Sequence, residues 1–141
     1  MTVIKAIYNA GGQKLAKTGL VNLHSYNICP TTQVAASTPL VLSVDDFKLY
    51  DYFVVDQTSA DTDEIDLPDA TPTGTRFTIY CADVVELRTQ TDTIEINGVA
   101  SKGYTTVALD LIHVTKTALG WNMWKILEAD GAVTSIVPAT S

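Results

Sequence analysis

Short segments in which apolar and polar residues alternate, each bounded by turn-forming residues, recur along most of this chain of 141 residues. The clearest of them runs through Arg76, Phe77, Thr78, Ile79, Tyr80 and Cys81. Side chains two residues apart in a β-strand point to the same side. The pattern therefore predicts a strand with Phe77, Ile79 and Cys81 on one face and their more polar neighbours on the other.

Similar segments follow one another after residue 46. They lie at 49–56, 63–67, 84–88, 93–96, 105–114, 121–127 and 132–137. Turn signals separate them, and the strongest is Asn97-Gly98, which is typical of a two-residue β-hairpin. About eight to ten strands of ordinary length are expected. This spacing predicts an all-β fold, an antiparallel β-sandwich or a barrel-like (jelly-roll-like) domain.

The first 45 residues have a different texture, because glycine and proline interrupt them too often for a long helix. These residues are Gly11, Gly12, Gly19, Pro30 and Pro39. We expect residues 1–45 to form an extended N-terminal arm with short strands, and residues 46–141 to form the β-sandwich domain. The arm either completes the sheet of its own chain, which is the favoured alternative, or lies on a neighbouring chain. A short helical turn is expected at 45–48.

Composition is that of a globular protein, with 46% hydrophobic and 18% charged residues. Nine basic and sixteen acidic residues give a formal net charge of −7, which disfavours binding to the phosphates of nucleic acid. No run of about 18 apolar residues predicts a membrane span. The first residues lack the apolar core of a secretory signal, so we expect a protein that is soluble where it is made. Cys29 and Cys81 are expected to be buried as small hydrophobic residues.

Candidate catalytic and metal-binding residues are few. His24 and His113 are expected to be structural or surface residues, because catalysis and metal binding need several converging groups. Glycine-rich phosphate loops and zinc-binding spacings are absent. Carboxylates are denser in one strand-loop-strand segment, which contains Asp56, Asp61, Asp63, Glu64, Asp66 and Asp69. Their order does not match a calcium-binding EF-hand, so we expect a solvated acidic rim without a bound metal. Because the motif search finds no catalytic constellation, we also expect no cofactor and no enzyme activity. A bound cation, or a sugar-active or metal-dependent enzyme that uses these carboxylates, is the alternative.

Aromatic residues permit two interpretations. They are Tyr50, Tyr52, Phe53, Tyr80, Tyr104, Trp121 and Trp124. Core packing accounts for most of them, since such residues dominate sandwich interiors, and a platform for binding sugars is the alternative. Trp121 and Trp124 are three residues apart and so lie on opposite faces of a strand. One is expected to cap the core and the other to lie near a surface or an interface.

The order of motifs after residue 65 resembles small β-rich modules of tailed-phage virion proteins. The motifs are Leu67-Pro68-Asp69-Ala70, then 74–79, 92–98, 104–109 and 120–126. The resemblance covers about half of the chain. It implies a structural role without catalytic residues, in capsid decoration (cement) proteins or in tail and head fibres, and a homotrimeric assembly.

Two features favour decoration over a fibre: the module stands nearly alone behind its arm, and the chain shows neither repeats nor coiled-coil heptads. The implied partner is a major capsid protein, with no nucleic acid and no membrane involved. The implied location is the exterior of the capsid, after a soluble stage in the host cytoplasm. A short tail, head or neck fibre or a receptor-binding module is the alternative. For docking we expect residues 1–45 and one tryptophan, with these candidates: Ile4, Tyr8, Leu20, Leu23, Trp121 and Trp124.

Overall fold

The computed structural model of this chain describes residues 7–8, 14–16, 26–58, 63–91, 95–100, 103–126 and 133–138. The regular secondary structure of these residues is β-strand, apart from one 3-10 helical turn at Asp46–Lys48. The strands are β1 (Ile7–Tyr8), β2 (Lys14–Ala16), β3 (Gln33–Ala35), β4 (Leu40–Val41), β5 (Tyr52–Gln57), β6 (Glu64–Leu67), β7 (Arg76–Cys81), β8 (Glu86–Thr89), β9 (Glu95–Ile96), β10 (Val99–Ala100), β11 (Tyr104–Thr105), β12 (Leu111–Lys116), β13 (Gly120–Ile126) and β14 (Val133–Ser135). The all-β prediction is confirmed.

The strands are organised as a β-solenoid of about three turns, so the predicted antiparallel sandwich or jelly-roll-like barrel is wrong. Each turn gives one strand to each of two sheets. In the eight-stranded sheet β3, β5 and β7 lie side by side and parallel. In the four-stranded sheet β4, β6 and β8 do the same. The chain therefore passes from one sheet to the other and back, one turn above the last.

The register between turns explains why the sequence did not show this winding. Gln33 lies beside Val55, and Val55 lies beside Cys81, so successive steps take 22 and 26 residues. The unequal steps leave no regular repeat in the sequence. Alternation itself has the same period in parallel and antiparallel strands, so it predicts a strand without predicting its partner.

Antiparallel strands extend the eight-stranded sheet beyond the third turn. β12 pairs with β7 and forms a hairpin with β13, which also pairs with β14 and, in parallel, with β9. The hairpin predicted at Asn97-Gly98 is confirmed, because it joins β9 to β10 and its residues have φ of 50° and 82°. In the four-stranded sheet β11 adds to β8 in antiparallel orientation.

One hydrophobic core lies between the two sheets. The predicted inner face of β7 is confirmed, since Phe77, Ile79 and Cys81 are all buried. Ile65 and Leu67 of β6 are buried from the opposite sheet. Burial of such side chains is the main favourable term in folding, because it removes apolar surface from water.

The helical turn at Asp46–Lys48, which was predicted, places an aromatic ring over this core. The ring of Phe47 stacks on that of Phe77, with centroids 4.4 Å apart, and meets the edge of Phe53 at 5.5 Å. Cys29 is buried as well, so the prediction for both cysteines is confirmed.

Part of the predicted arm belongs to the solenoid. β3 pairs with β5 and β4 pairs with β6, so residues 33–41 complete the sheets of their own chain. Ala35 and Leu42 are buried in the core. Ile4, Leu20 and Leu23 lie outside the described residues. Strands β1 and β2 pair with each other in a small sheet.

The predicted strand over 105–114 is divided in the structure. β11 ends at Thr105, β12 starts at Leu111, and a turn lies between them. Leu109 has a φ of 74° there, and the backbone N–H of Val107 donates to a carboxylate oxygen of Asp110 at 2.9 Å. The alternation through this segment suggested a continuous strand, although an aspartate that bonds to a nearby backbone N–H is typical of a turn.

Candidate interaction surface

The outer faces of the two sheets differ in chemistry. The outer face of the four-stranded sheet carries Glu64, Asp66, Glu86 and Arg88. Arg88 donates to Glu64 at 2.6 Å, and its Nε lies 3.5 Å from Asp66. Burial raises the pKa of Asp66, and neighbouring Arg88 opposes that rise without cancelling it. The charges on this face are therefore largely engaged with one another.

The outer face of the eight-stranded sheet is mostly aromatic and aliphatic. The cross-strand register brings residues from four strands into two transverse rows. The aromatic row consists of Tyr52, Thr78, His113 and Trp124. The apolar row consists of Val54, Tyr80, Leu111 and Ile126. Both rows point away from the core, because Phe53, Ile79 and Ile112, which lie between the rows along β5, β7 and β12, are buried.

Hydrogen bonds and ring contacts hold the aromatic row together. Thr78 Oγ1 lies 3.0 Å from His113 Nδ1, which fixes the orientation of the imidazole. The ring of His113 lies 6.3 Å from that of Trp124, at an interplanar angle of 40°. At the other end, Tyr26 packs against Tyr52 with ring centroids 4.9 Å apart. Pairs of this kind contribute about 0.5–1.5 kcal/mol beyond the area they bury.

A groove of about 700 Å³ runs along the aromatic row. Tyr26 lies on one side and Trp124 on the other, while Arg76, Asp51 and His113 contribute polar groups. The backbone N–H of Asn27 donates to the carboxylate of Asp51 at 2.6 Å, which ties the segment carrying Tyr26 to the edge of the groove. The volume lies within the range of ligand pockets, which is about 300–1,000 Å³.

The apolar row lies next to the groove and has no charged member. Tyr80, Leu111 and Ile126 line a shallow depression of about 370 Å³, together with Leu109 from the turn before β12. The row continues to Val133 of β14, which is exposed. Contiguous apolar side chains that are only half-buried, with an exposed one at the end, are typical of a protein–protein contact.

The two tryptophans lie on opposite faces of β13, as predicted. Trp121 is 1% exposed, packs against Phe77 and receives the ammonium group of Lys116 over its ring at 5.7 Å. Trp124 is 36% exposed and belongs to the aromatic row. Of the two proposed aromatic anchors, Trp124 is therefore the one whose side chain reaches the surface.

The other candidate residues that the structure describes line neither the groove nor the depression beside the apolar row. Tyr8 lies in β1, away from the rows in the pairing scheme, and His24 lies outside the described residues. In the acidic segment, Asp63 is buried and accepts hydrogen bonds from the backbone and hydroxyl of Thr58, at 3.1 and 2.6 Å. Asp61 is outside the described residues. Within the part of the chain that the structure describes, no group of three or more acidic, histidine or cysteine side chains could hold a metal ion.

Sequence reasoning missed the importance of His113 and Tyr26. His113 was assigned a structural or surface role, and Tyr26 was not singled out. His113 belongs to the groove because the antiparallel pairing of β12 with β7 places it beside Thr78. Tyr26 belongs to it because its ring packs against Tyr52, which the parallel pairing of β5 with β7 also places beside Thr78. The outward position of His113 in its strand was a signal in the sequence, but it does not say which strands are neighbours.

Among the described residues no helix is long and apolar enough to cross a membrane. Comparison with family models, curated proteins and solved structures finds no significant match to this chain. Function is therefore argued from the two outer faces and their geometry.

Proposed function

We propose that this chain is a structural virion protein that decorates the exterior of a phage capsid and docks through the apolar row. The observation that carries the proposal is the row of Val54, Tyr80, Leu111 and Ile126, which lie half-buried on the outer face of the eight-stranded sheet. The order of sequence motifs supplies the phage context. The solenoid differs from the sandwich or barrel that the spacing of the strands predicted, so the mode of docking rests on the surface alone.

The contrast between the two faces supports docking in one orientation. The engaged charges around Arg88 suit a face that remains in water, whereas the apolar row gains free energy when a partner covers it. Central aromatic and aliphatic anchors commonly carry most of the energy of an interface. Tyr80 and Ile126 lie in this position, beside the depression that a partner side chain could fill.

The proposed partners are the major capsid protein and two further copies of this chain in a homotrimer. Stable interfaces bury roughly 1,600 Å² in total, so a small protein gains attachment area by presenting several copies at one site. The net charge of −7 on each chain disfavours further association of the free homotrimers and would complement a basic surface on the shell.

Mass spectrometry and electron microscopy of purified particles test the proposed location. We expect the chain to be present at a copy number close to that of the capsid subunit, as density on the outside of the shell. Absence from the particles, or a few copies confined to the tail, would contradict decoration. Light scattering of the free protein tests the homotrimer, for which we expect three times the mass of one chain.

A pair of matched substitutions tests the docking face. Ile126→Lys places a charge in the apolar row, while Val41→Lys places the same charge on the outer face of the four-stranded sheet, beside Asp66. We expect Ile126→Lys to weaken binding to capsids at least about tenfold, which corresponds to the loss of one central anchor. Val41→Lys should bind as the unsubstituted chain does. Equal binding by both variants would exclude the apolar row.

A receptor-binding or fibre module is the second candidate, and the groove beside Trp124 favours it. Such a module needs a recessed surface with several polar groups, which the apolar row lacks and the groove has. Low copy number in the virion, together with binding to host-cell surfaces, would favour this candidate over decoration.

A further inference from the structure

We infer that the groove on the aromatic row binds a neutral oligosaccharide. The groove has an aromatic ring on each side, polar side chains between them and a floor formed by Thr78 and His113. This combination suits a ligand that has apolar C–H faces and hydroxyl groups at its edges. Sugar rings have both.

The aromatic rings form two separate platforms. Tyr26 and Tyr52 pack together at one end, and Trp124 packs beside His113 at the other. Tyrosine and tryptophan side chains are large, rigid and amphipathic, so they bind a flat apolar face at little entropic cost. Trp124 is 36% exposed and Tyr26 is 45% exposed, so each has surface left for a ligand.

The polar groups of the groove match hydroxyl groups. Arg76 is exposed and forms no ion pair with any other described residue, so its guanidinium donors are available. Asp51 supplies a carboxylate that accepts, and Thr115 supplies a hydroxyl that does both. Donors and acceptors side by side bind vicinal hydroxyls. The positive charge of Arg76 and the negative charge of Asp51 offset each other, and this favours a neutral ligand over an anion.

The charge of the protein disfavours the main competitor for stacking platforms, single-stranded nucleic acid. Bases also stack on aromatic side chains, but tight binding requires a basic groove that follows the phosphates. Among the described residues that line the groove, Arg76 is the only lysine or arginine, and the chain carries a net charge of −7. The negative charge of the protein therefore disfavours binding of the phosphates of single-stranded DNA or RNA.

The length of the row suggests more than one sugar unit. Three inter-strand steps separate Tyr52 from Trp124, and neighbouring strands lie about 4.8 Å apart, so the platforms are roughly 14 Å apart. One sugar ring cannot reach both. The ligand class is therefore an oligosaccharide or a polysaccharide chain that crosses the strands.

This inference does not depend on the proposed place of the chain in a particle. Free oligosaccharides bind to purified protein without a capsid, so binding and decoration can fail separately. The four members of the apolar row, which the decoration proposal requires, do not line the groove, although Tyr52 of the aromatic row also lines the depression beside them.

Calorimetric titration with neutral oligosaccharides, guided by a glycan array, provides the test. The probes are cellohexaose, maltohexaose and chitohexaose, with an oligogalacturonate of similar length as the anionic comparison. We expect binding to at least one neutral oligosaccharide, with little dependence on salt. Failure of every neutral glycan to bind, or binding of the anionic one alone, would overturn the inference.

Substitutions in the groove then locate the site. Trp124→Ala should weaken binding about tenfold or more, as expected for the loss of one stacking platform, while Trp124→Phe should retain most of it. Tyr26→Ala should weaken binding from the opposite side. Leu119→Ala is the control, since Leu119 is exposed on the turn between β12 and β13, away from the groove. If Trp124→Ala binds the oligosaccharide as tightly as the unsubstituted protein does, the ligand lies elsewhere and the inference is wrong.

A measurement on the unsubstituted protein covers the case in which Trp124→Ala does not fold. The chain has two tryptophans, and only Trp124 is exposed to solvent, because Trp121 lies in the core. A neutral quencher should therefore reduce the fluorescence of Trp124, and a saturating oligosaccharide should protect it. Quenching that is unaffected by the bound sugar would contradict the assignment.

Discussion

At the scale of single residues, Asn97 shows how one side chain can replace part of a strand. Its amide nitrogen donates to the carbonyl oxygens of Met123 and Ile136, both at 2.7 Å, and its amide oxygen accepts from the N–H of Met123 at 2.8 Å. Its own backbone N–H donates to Trp121 at 2.8 Å. Asn97 thus satisfies backbone groups of β13 and of the segment after β14, from within a hairpin turn.

Asn97→Ala should lower the free energy of unfolding by about 2–4 kcal/mol, because it removes three hydrogen bonds with backbone groups and leaves those partly buried groups without partners. The positive φ at this position adds to the cost, since asparagine tolerates it better than alanine. Urea denaturation would measure the change. Asn122→Ala, on the exposed outer face of β13, is the control and should stay within about 0.5 kcal/mol. Similar stability of the two variants would contradict this role for Asn97.

Buried and hydrogen-bonded groups make the fold sensitive to alkaline pH. Burial raises the pKa of the Cys81 thiol from 9.0 to about 12. The pKa of Lys125 is also raised, because its ammonium group donates a hydrogen bond to the hydroxyl of Tyr104. Both groups hold their protons more tightly in the folded chain than in the unfolded chain. Their contribution to the free energy of unfolding is therefore complete below pH 9 and is lost as pH rises from 9 toward 12.

The stability of the protein should accordingly fall between pH 9 and 12, with each such group contributing a slope of up to about 1.4 kcal/mol per pH unit. Cys81→Ala should be less stable at neutral pH but should show a shallower fall above pH 9. Val85→Ala, which also removes buried volume from the core, should keep the original slope. Chemical denaturation at a series of pH values compares the three. Identical slopes would show that the Cys81 thiol loses its proton over the same pH range in the folded chain as in the unfolded chain.

At the scale of elements, the parallel contact between β9 and β13 depends on the absence of a side chain. Gly120 lies beside Glu95, and a Cβ atom at Gly120 would overlap the backbone of Glu95. This glycine therefore permits a close approach of two backbones, whereas Gly74 adopts a φ of 95° with open space around it.

The two glycines give a matched comparison. Gly74→Ala should cost about 1–2 kcal/mol from backbone strain alone. Gly120→Ala should cost more, about 3 kcal/mol or above, because β9 must separate from β13. Thermal melts and hydrogen exchange at the amides of β9 measure both effects. A smaller loss in Gly120→Ala than in Gly74→Ala would show that this end of the sheet can adjust.

Most strands could be predicted from the sequence, and their pairing could not. The inner face of β7 and the Asn97-Gly98 hairpin follow from local rules, alternation in one case and turn chemistry in the other. Paired residues of β3 and β5 lie 22 residues apart in the sequence, and paired residues of β5 and β7 lie 26 apart. The links between these strands differ in length, and no local rule relates the strands to one another. The groove depends on that pairing, so Trp124 could be proposed as an anchor while its neighbour His113 could not.

At the scale of the whole molecule, the first turn of the solenoid is part of the core. Removing residues 1–45 takes away β3 and β4, together with the buried side chains of Ala35 and Leu42. The edges of β5 and β6 would then be open and the core exposed, which favours aggregation. The sequence predicted residues 1–45 to be an arm, and β3 and β4 of that segment pair with β5 and β6.

Truncation at two positions tests this view. A chain that starts at residue 26 retains β3 and β4 and should unfold in one cooperative transition. A chain that starts at residue 46 should melt at a lower temperature by roughly 10 °C or more, or fail to stay in solution, because burial of a whole turn is lost. Circular dichroism during heating measures both. Equal melting temperatures would show that the first turn contributes nothing to stability.

The links between the strands differ in length while the strands themselves stay in register. The link from β6 to β7 has its most accessible point at Pro72 and Thr73, which are exposed, while Thr71 beside them is buried. A foreign peptide inserted between Pro72 and Thr73 would project sideways from the stack and leave the strands above and below it in place. The chain could then serve as a carrier that displays a guest epitope at one corner, once in every copy.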